Sequence, residues 1–131
     1  MRRKLVAGNW KMHGNRASSA ELLAGITAAR PYDCDVAVCV PFPYLSEAAV
    51  ALARSDVRWG AQDCSAFEQG AYTGEVSVLM LADFGCRYVI VGHSERRQYH
   101  AESDQLVADK AKVALARGIT PIVCVGETLA Q

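Results

Sequence analysis

The sequence predicts an α/β protein built on a parallel sheet, and three observations carry that prediction. Short apolar runs alternate with amphipathic segments along the chain. Three of those runs, residues 35–40, 87–91 and 120–125, are nearly continuous in apolar character, as expected when helices cover a parallel sheet. The residues best suited to chemistry fall just after the apolar runs, where parallel α/β folds gather their sites.

Each element follows from its pattern. Residues 4–8 read as the first strand. Residues 18–30 follow as a helix with Leu22, Leu23, Ile26 and Ala29 on one face, and Pro31 stops it. The second strand, residues 35–40, is closed by Pro41 and Pro43. A short helix then carries Leu45, Ala48, Ala49 and Leu52 at helical spacing, and residues 57–62 form the third strand. The stretch 63–75 is irregular and contains Gly70 and Gly74. Connections in α/β units usually take about 2–6 residues, so this loop is long enough to suggest a function. A helix over 77–84 ends at Gly85, before the fourth strand at 87–91. The polar segment 92–102 leads to a helix over 103–117, with Ser103 as N-cap and Gly118 as C′ residue, and a fifth strand spans 120–125. The expectation is five strands and four helices in one domain, with no linker and no second domain. Gly126, Glu127 and Thr128 look like the next strand-to-helix turn, which marks the chain as a segment of a longer one.

Composition narrows the function. Fourteen basic and fourteen acidic side chains cancel, which leaves no charge footprint for nucleic acid or an anionic membrane. No apolar run approaches the roughly 20 residues of a membrane span, and the run after Lys4 is too short for a secretory signal. The five cysteines have no C-x-x-C spacing and no zinc-like His offset. They read as buried thiols of a soluble, cytoplasmic protein, with no metal.

Two architectures satisfy the pattern: a five-stranded doubly wound sheet, or the first five strands and four helices of a parallel (β/α)8 TIM barrel, which takes about 250 residues when complete. No G-x-G-x-x-G follows the first strand; Asn9, Trp10 and Lys11 stand there instead. Lys11 beside Asn9 suits a small oxyanion or a phosphorylated substrate, and a solvated surface lysine is the plainer reading. His93 follows Gly92, and the polar run after it could open a helix whose N–H groups face the ring. A helix N-terminus disfavours the imidazolium, and a neutral imidazole can donate its N–H to a carbonyl. A structural histidine bonding a turn fits the spacing equally well. Glu95, Arg96 and Arg97 read either as a catalytic acid with partners or as a salt-bridged surface turn.

Taken together, Gly8-Asn9-Trp10-Lys11-Met12, Ala61-Gln62-Asp63, Gly70-Ala71-Tyr72-Thr73-Gly74-Glu75, Gly92-His93-Ser94-Glu95-Arg96-Arg97 and Cys124-Val125-Gly126-Glu127 resemble triosephosphate isomerase, in that family's order and spacing. The resemblance covers the whole chain and implies the barrel. It implies interconversion of dihydroxyacetone phosphate and glyceraldehyde 3-phosphate through an enediolate, with no metal and no organic cofactor. It places Asn9 and Lys11 against the substrate oxygens and gives His93 the task of polarising the carbonyl. Glu95 joins the catalytic set, Ser94 holds the resting base, and Arg96 is structural. It also implies a homodimer in which the 63–75 loop docks into a partner subunit through Thr73 and Gly74, supported by Gln62 and Glu75.

The family's basic Glu, its lid and its further phosphate loops follow later strands. The expectation is therefore negligible isomerase activity for these 131 residues alone, and order gained by association. A non-catalytic, self-assembling half-barrel and another phosphosugar-binding α/β enzyme are the competing readings.

Overall fold

The structure, a computed structural model, describes residues 2–131. Five parallel strands form one sheet: β1 (Leu5–Asn9), β2 (Asp35–Val40), β3 (Arg58–Ala61), β4 (Tyr88–Val91) and β5 (Thr120–Val123). Their spatial order is their chain order, β1-β2-β3-β4-β5. A doubly wound sheet reverses direction at a switch point; this sheet does not. Right-handed crossovers that never reverse must leave every helix on one face.

The core shows that they do. Parallel register aligns Val38 with Trp59 and Val40 with Ala61, and Ala61 in turn with Val89. Val38, Val40, Ala61, Val89 and Val91 therefore share one face. They form a single buried cluster with Leu23 of α1 (Arg16–Ala28), Leu52 of α2 (Leu45–Leu52), Leu81 of α3 (Val78–Asp83), and Val107 and Ala114 of α5 (Asp104–Ala116). Ala37, Cys39 and Ile90 point to the opposite face of the sheet and are buried there without helices. One helix-covered face and one bare concave face make a half-barrel, and the doubly wound alternative is excluded.

The helix count corrects the sequence reading. Four helices are expected and five occur, because α4 (Ser94–Tyr99) lies inside the segment read as merely polar. Its six residues, SERRQY, include none that is buried. A helix without an apolar stripe gives no periodic signal. The other helices follow their caps. Asn15 caps α1 in a reciprocal box with Ser18 and sets its start two residues before the apolar stripe suggests. Ser77 caps α3, Ser103 caps α5, and Gly85 and Gly118 take positive φ just past the helix ends. Thr128 closes a turn with Gln131 rather than capping a helix.

β1 and β5 are the sheet's two edges. Val6 (58% exposed) and Val123 (45%) stand open there. All five cysteines are free. Burial pushes the thiols of Cys39, Cys64 and Cys86 up to about 12, so these are inert packing groups. No helix among the described residues is long and apolar enough to cross a membrane.

Candidate active site

The residues singled out after strands one, three and four meet at the carboxyl end of the sheet. Asn9, Lys11, Gln62, His93, Glu95 and Arg96 line one cleft of about 270 Å³, together with His100.

Asn9 is the last residue of β1, and its side-chain Oδ1 accepts the Lys11 N–H at 2.9 Å. That turn puts Lys11 in the left-handed region, φ 54°. Such a backbone is costly for a residue with a Cβ and persists only where its surroundings hold it. Gln62, at the exit of β3, supplies the hold. Its amide donates to the Lys11 carbonyl at 2.9 Å and to the Cys39 carbonyl at 3.0 Å. The strained turn aims the Lys11 ammonium across the rim, where Nζ meets Glu95 Oε1 at 2.7 Å.

His93 caps α4. Its Nδ1 accepts the backbone N–H of Glu95 at 3.2 Å. A nitrogen that accepts carries no proton, so the neutral ring holds its hydrogen on Nε2 and keeps it available for donation. Glu95 Oε2 lies 3.4 Å from the same Nδ1. With Nδ1 unprotonated and accepting the backbone N–H, that approach is proximity between two acceptors, not a second hydrogen bond. The Glu95 carboxylate thus stands between the ammonium and the imidazole. The hydrogen bond from Lys11 holds its carboxyl below the usual range, and the charge of Lys11 acts in the same direction.

Arg96, at the wall of the same cleft, pairs inward with a buried charge cluster the sequence reading missed. Its Nε meets Glu102 Oε2 at 2.7 Å, and Nη2 meets Asp63 Oδ2 at 3.2 Å. Lys110 Nζ bonds the same two carboxylates, Asp63 at 2.9 Å and Glu102 at 2.7 Å. Burial drives the Asp63 carboxyl up, only partly offset by Lys110. At Glu102 burial also pushes up, but the bonds from Lys110 and Arg96 outweigh it and the carboxyl sits below its usual range. Lys110 is lifted above the ordinary lysine range because its two carboxylates outweigh burial. The available signal was Lys110 on the same helical stripe as Val107 and Ala114, a charge where α5 is buried.

Of the remaining residues, Ser94 is exposed at the start of α4, and a second cleft of about 540 Å³ opens beside it, lined by His93, Arg97, Cys124 and Glu127. Thr73, Gly74 and Glu75 are exposed. Their loop is ordered by its own contacts: Ser65 N–H donates to the Val76 carbonyl at 2.8 Å, Phe67 stacks on Tyr72 with ring centroids 4.2 Å apart, and Arg117 clasps Glu68 through two bonds of 2.8 and 2.7 Å.

The family model described as triosephosphate isomerase matches residues 4–131. The chain belongs to the triosephosphate isomerase family. The triosephosphate isomerase of Bordetella pertussis is 63% identical to this family member over 131 residues, covering 99% of the chain and 53% of the relative. That of Cupriavidus pinatubonensis is 61% identical, covering all of the chain and 53% of the relative. A solved triosephosphate isomerase from Bartonella henselae superposes with a TM-score of 0.93 at 40% identity, covering 98% of this chain and 54% of that one. This isomerase-family chain therefore spans about half the length of the relatives it matches.

Proposed function

We propose that this chain supplies the electrophilic part of a site that isomerises a phosphorylated triose between aldose and ketose. The observation that supports the reading most is the Glu95 carboxylate between Lys11 Nζ and His93 Nδ1, at the rim shared with Asn9. The Lys11 ammonium offsets the charge of the substrate anion, and Asn9 offers an uncharged amide beside it. The Nε2–H of His93 donates to the substrate carbonyl oxygen as negative charge develops there, then moves protons between the two oxygens of the enediolate. Donors aimed at developing charge in a partly enclosed site are typically worth about 10²–10³ in rate each.

The carbon-bound proton goes to a general base that the family resemblance places beyond a sixth strand, outside these residues. A base contributes about 10²–10⁴, so we expect the 131 residues alone to turn over negligibly. The homodimer contact through Thr73, Gly74 and Glu75 belongs to the same proposal.

A coupled assay from dihydroxyacetone phosphate tests the reading on the protein at the length its source produces. We expect efficient turnover that falls about 10²–10³-fold in His93→Gln. A His93→Gln protein with undiminished turnover, or an isolated 131-residue chain as active as the whole, would reject the assignment.

A second reading, a self-assembling half-barrel without catalysis, is favoured by the open edges β1 and β5 and by exposed Val6 and Val123. A stable, cooperatively unfolding monomer in size-exclusion chromatography counts against it.

A further inference from the structure

We propose that Arg97 is the positioning residue of His93: its guanidinium grips the Gly92 carbonyl, whose peptide enters the histidine, and ties it to the Cys124 carbonyl at the exit of β5. The proposal rests on reading His93 as the electrophile.

α4 has no apolar anchor. None of its residues is buried, so apolar packing does not determine where its first turn sits. Yet that turn orients the imidazole, because Nδ1 is bonded to the Glu95 N–H. Something other than hydrophobic contact must set it.

Arg97 makes the necessary bonds. Its side-chain Nε donates to the Gly92 carbonyl at 2.8 Å, the peptide that enters His93. Its backbone N–H donates to the His93 carbonyl at 3.0 Å, the peptide that leaves it. A third bond, from Nη2 to the Cys124 carbonyl at 3.1 Å, ties the same guanidinium to the residue after β5. The planar fork of arginine fixes these donors relative to one another, so the carbonyls at the exits of β4 and β5 are held in one geometry. The ion pair with Asp104, at 2.6 Å, points outward to a carboxylate that is 96% exposed and adds little.

Gly92 completes the clamp. Its φ is +67°, and a Cβ there would lie 2.6 Å from Val107 Cγ1 and 2.9 Å from Arg97 Nη2. The peptide entering His93 is thus wedged between a buried valine of α5 and the guanidinium. Arg96, its neighbour, shares the bond to the His93 carbonyl through its backbone N–H at 2.9 Å, but its side chain pairs with Glu102 and Asp63 and does not reach the Gly92 carbonyl.

Replacing Arg97 leaves the ring chemistry intact and loosens its placement. Misplacement of a catalytic group by about 1 Å can cost 10²-fold, so we expect kcat of Arg97→Ala to fall by about that factor. KM should stay within about threefold, since uniform binding is untouched. Guanidinium ion added to Arg97→Ala should restore part of kcat. Arg97→Lys keeps the charge but lacks the planar fork that spans the Gly92 and Cys124 carbonyls, and should remain low and unrescued. Asp104→Asn should leave kcat within about twofold, since it removes only the exposed pair.

The deciding readout is the ring ¹⁵N spectrum of His93 in the substrate-free, full-length protein. The wild type should show one neutral tautomer with the proton on Nε2, and both Arg97 variants should show tautomer averaging. An unchanged ring spectrum in folded Arg97→Lys or Arg97→Ala overturns the proposal even if kcat falls, because the loss would then have another origin. If the wild type shows no isomerase activity, the proposed function fails, while the ring spectra still decide whether Arg97 positions His93.

Discussion

Glu95 and Arg96 are neighbours on α4, yet they belong to two charge groupings of opposite exposure. Glu95 pairs with Lys11, and the two side chains are 45% and 50% exposed. Arg96 joins Asp63, Glu102 and Lys110, where Glu102 and Lys110 are only 2% and 5% exposed. Both groupings hold the same chemical types at similar distances. Solvent makes the first nearly neutral for stability and open to a competing anion. Burial makes the second rigid, since each charge there has exchanged water for its partners and cannot lose one cheaply. On the proposed reading, a substrate anion exchanges with Glu95 for the Lys11 ammonium, half-exposed to solvent, whereas Lys110 is closed off by burial. The contrast separates a grouping suited to binding from one suited to holding the exit of β3 against α4 and α5.

The sharpest break of this comparison is Lys110→Met. Removing one partner of a buried ion pair typically costs about 3–5 kcal/mol, and denaturant unfolding of the full-length protein should show a loss of that size. A loss no greater than that of a surface pair would mean that the cluster is solvated and the contrast false.

Lys11→Met is the counterpart. We expect turnover of triose phosphate to fall about 10²–10³-fold while the unfolding midpoint stays where it was. A large loss of stability with little loss of rate would invert the roles of the two groupings.

The smallest effect is a dependence on pH. The Glu102 carboxyl is held low when folded, so its stabilisation is present above the unfolded carboxylate value of about 4.3 and lost as pH falls through the lowered one. Lys110 is raised, so its part is present below about 10.4 and lost as pH rises through the higher value. Asp63 is raised by burial, has the opposite sign to Glu102, and blunts the acid loss. Unfolding free energy should therefore be level between those limits and decline in acid. Glu102→Gln should flatten that decline and Asp63→Asn should steepen it. Identical acid limbs in both variants would show that neither carboxyl is linked to folding in this way.

Much of this molecule is legible along the chain. The strands are apolar runs, the long helices carry apolar stripes, and Ser77, Ser103, Gly85 and Gly118 mark ends where the structure has them. Asn9, Lys11 and His93 could be named because a parallel strand delivers its C-terminal residues to one rim. α4 could not be seen, since a helix held by arginines rather than by apolar burial leaves no period to read. The bracing of Lys11 by Gln62 was equally hidden: the two are 51 residues apart, and the bond exists only because β1 and β3 flank β2.

The sequence by itself determined which segments become strands and helices and which polar side chains stand at the strand exits, because periodicity and capping are local. The tertiary structure alone decided that the sheet never reverses, that Glu95 faces Lys11 while Arg96 turns into a buried cluster, and that Arg97 reaches the carbonyls of Gly92 and Cys124. Each of those depends on contacts between residues that only the packing of helices on one face of the sheet brings within hydrogen-bonding distance.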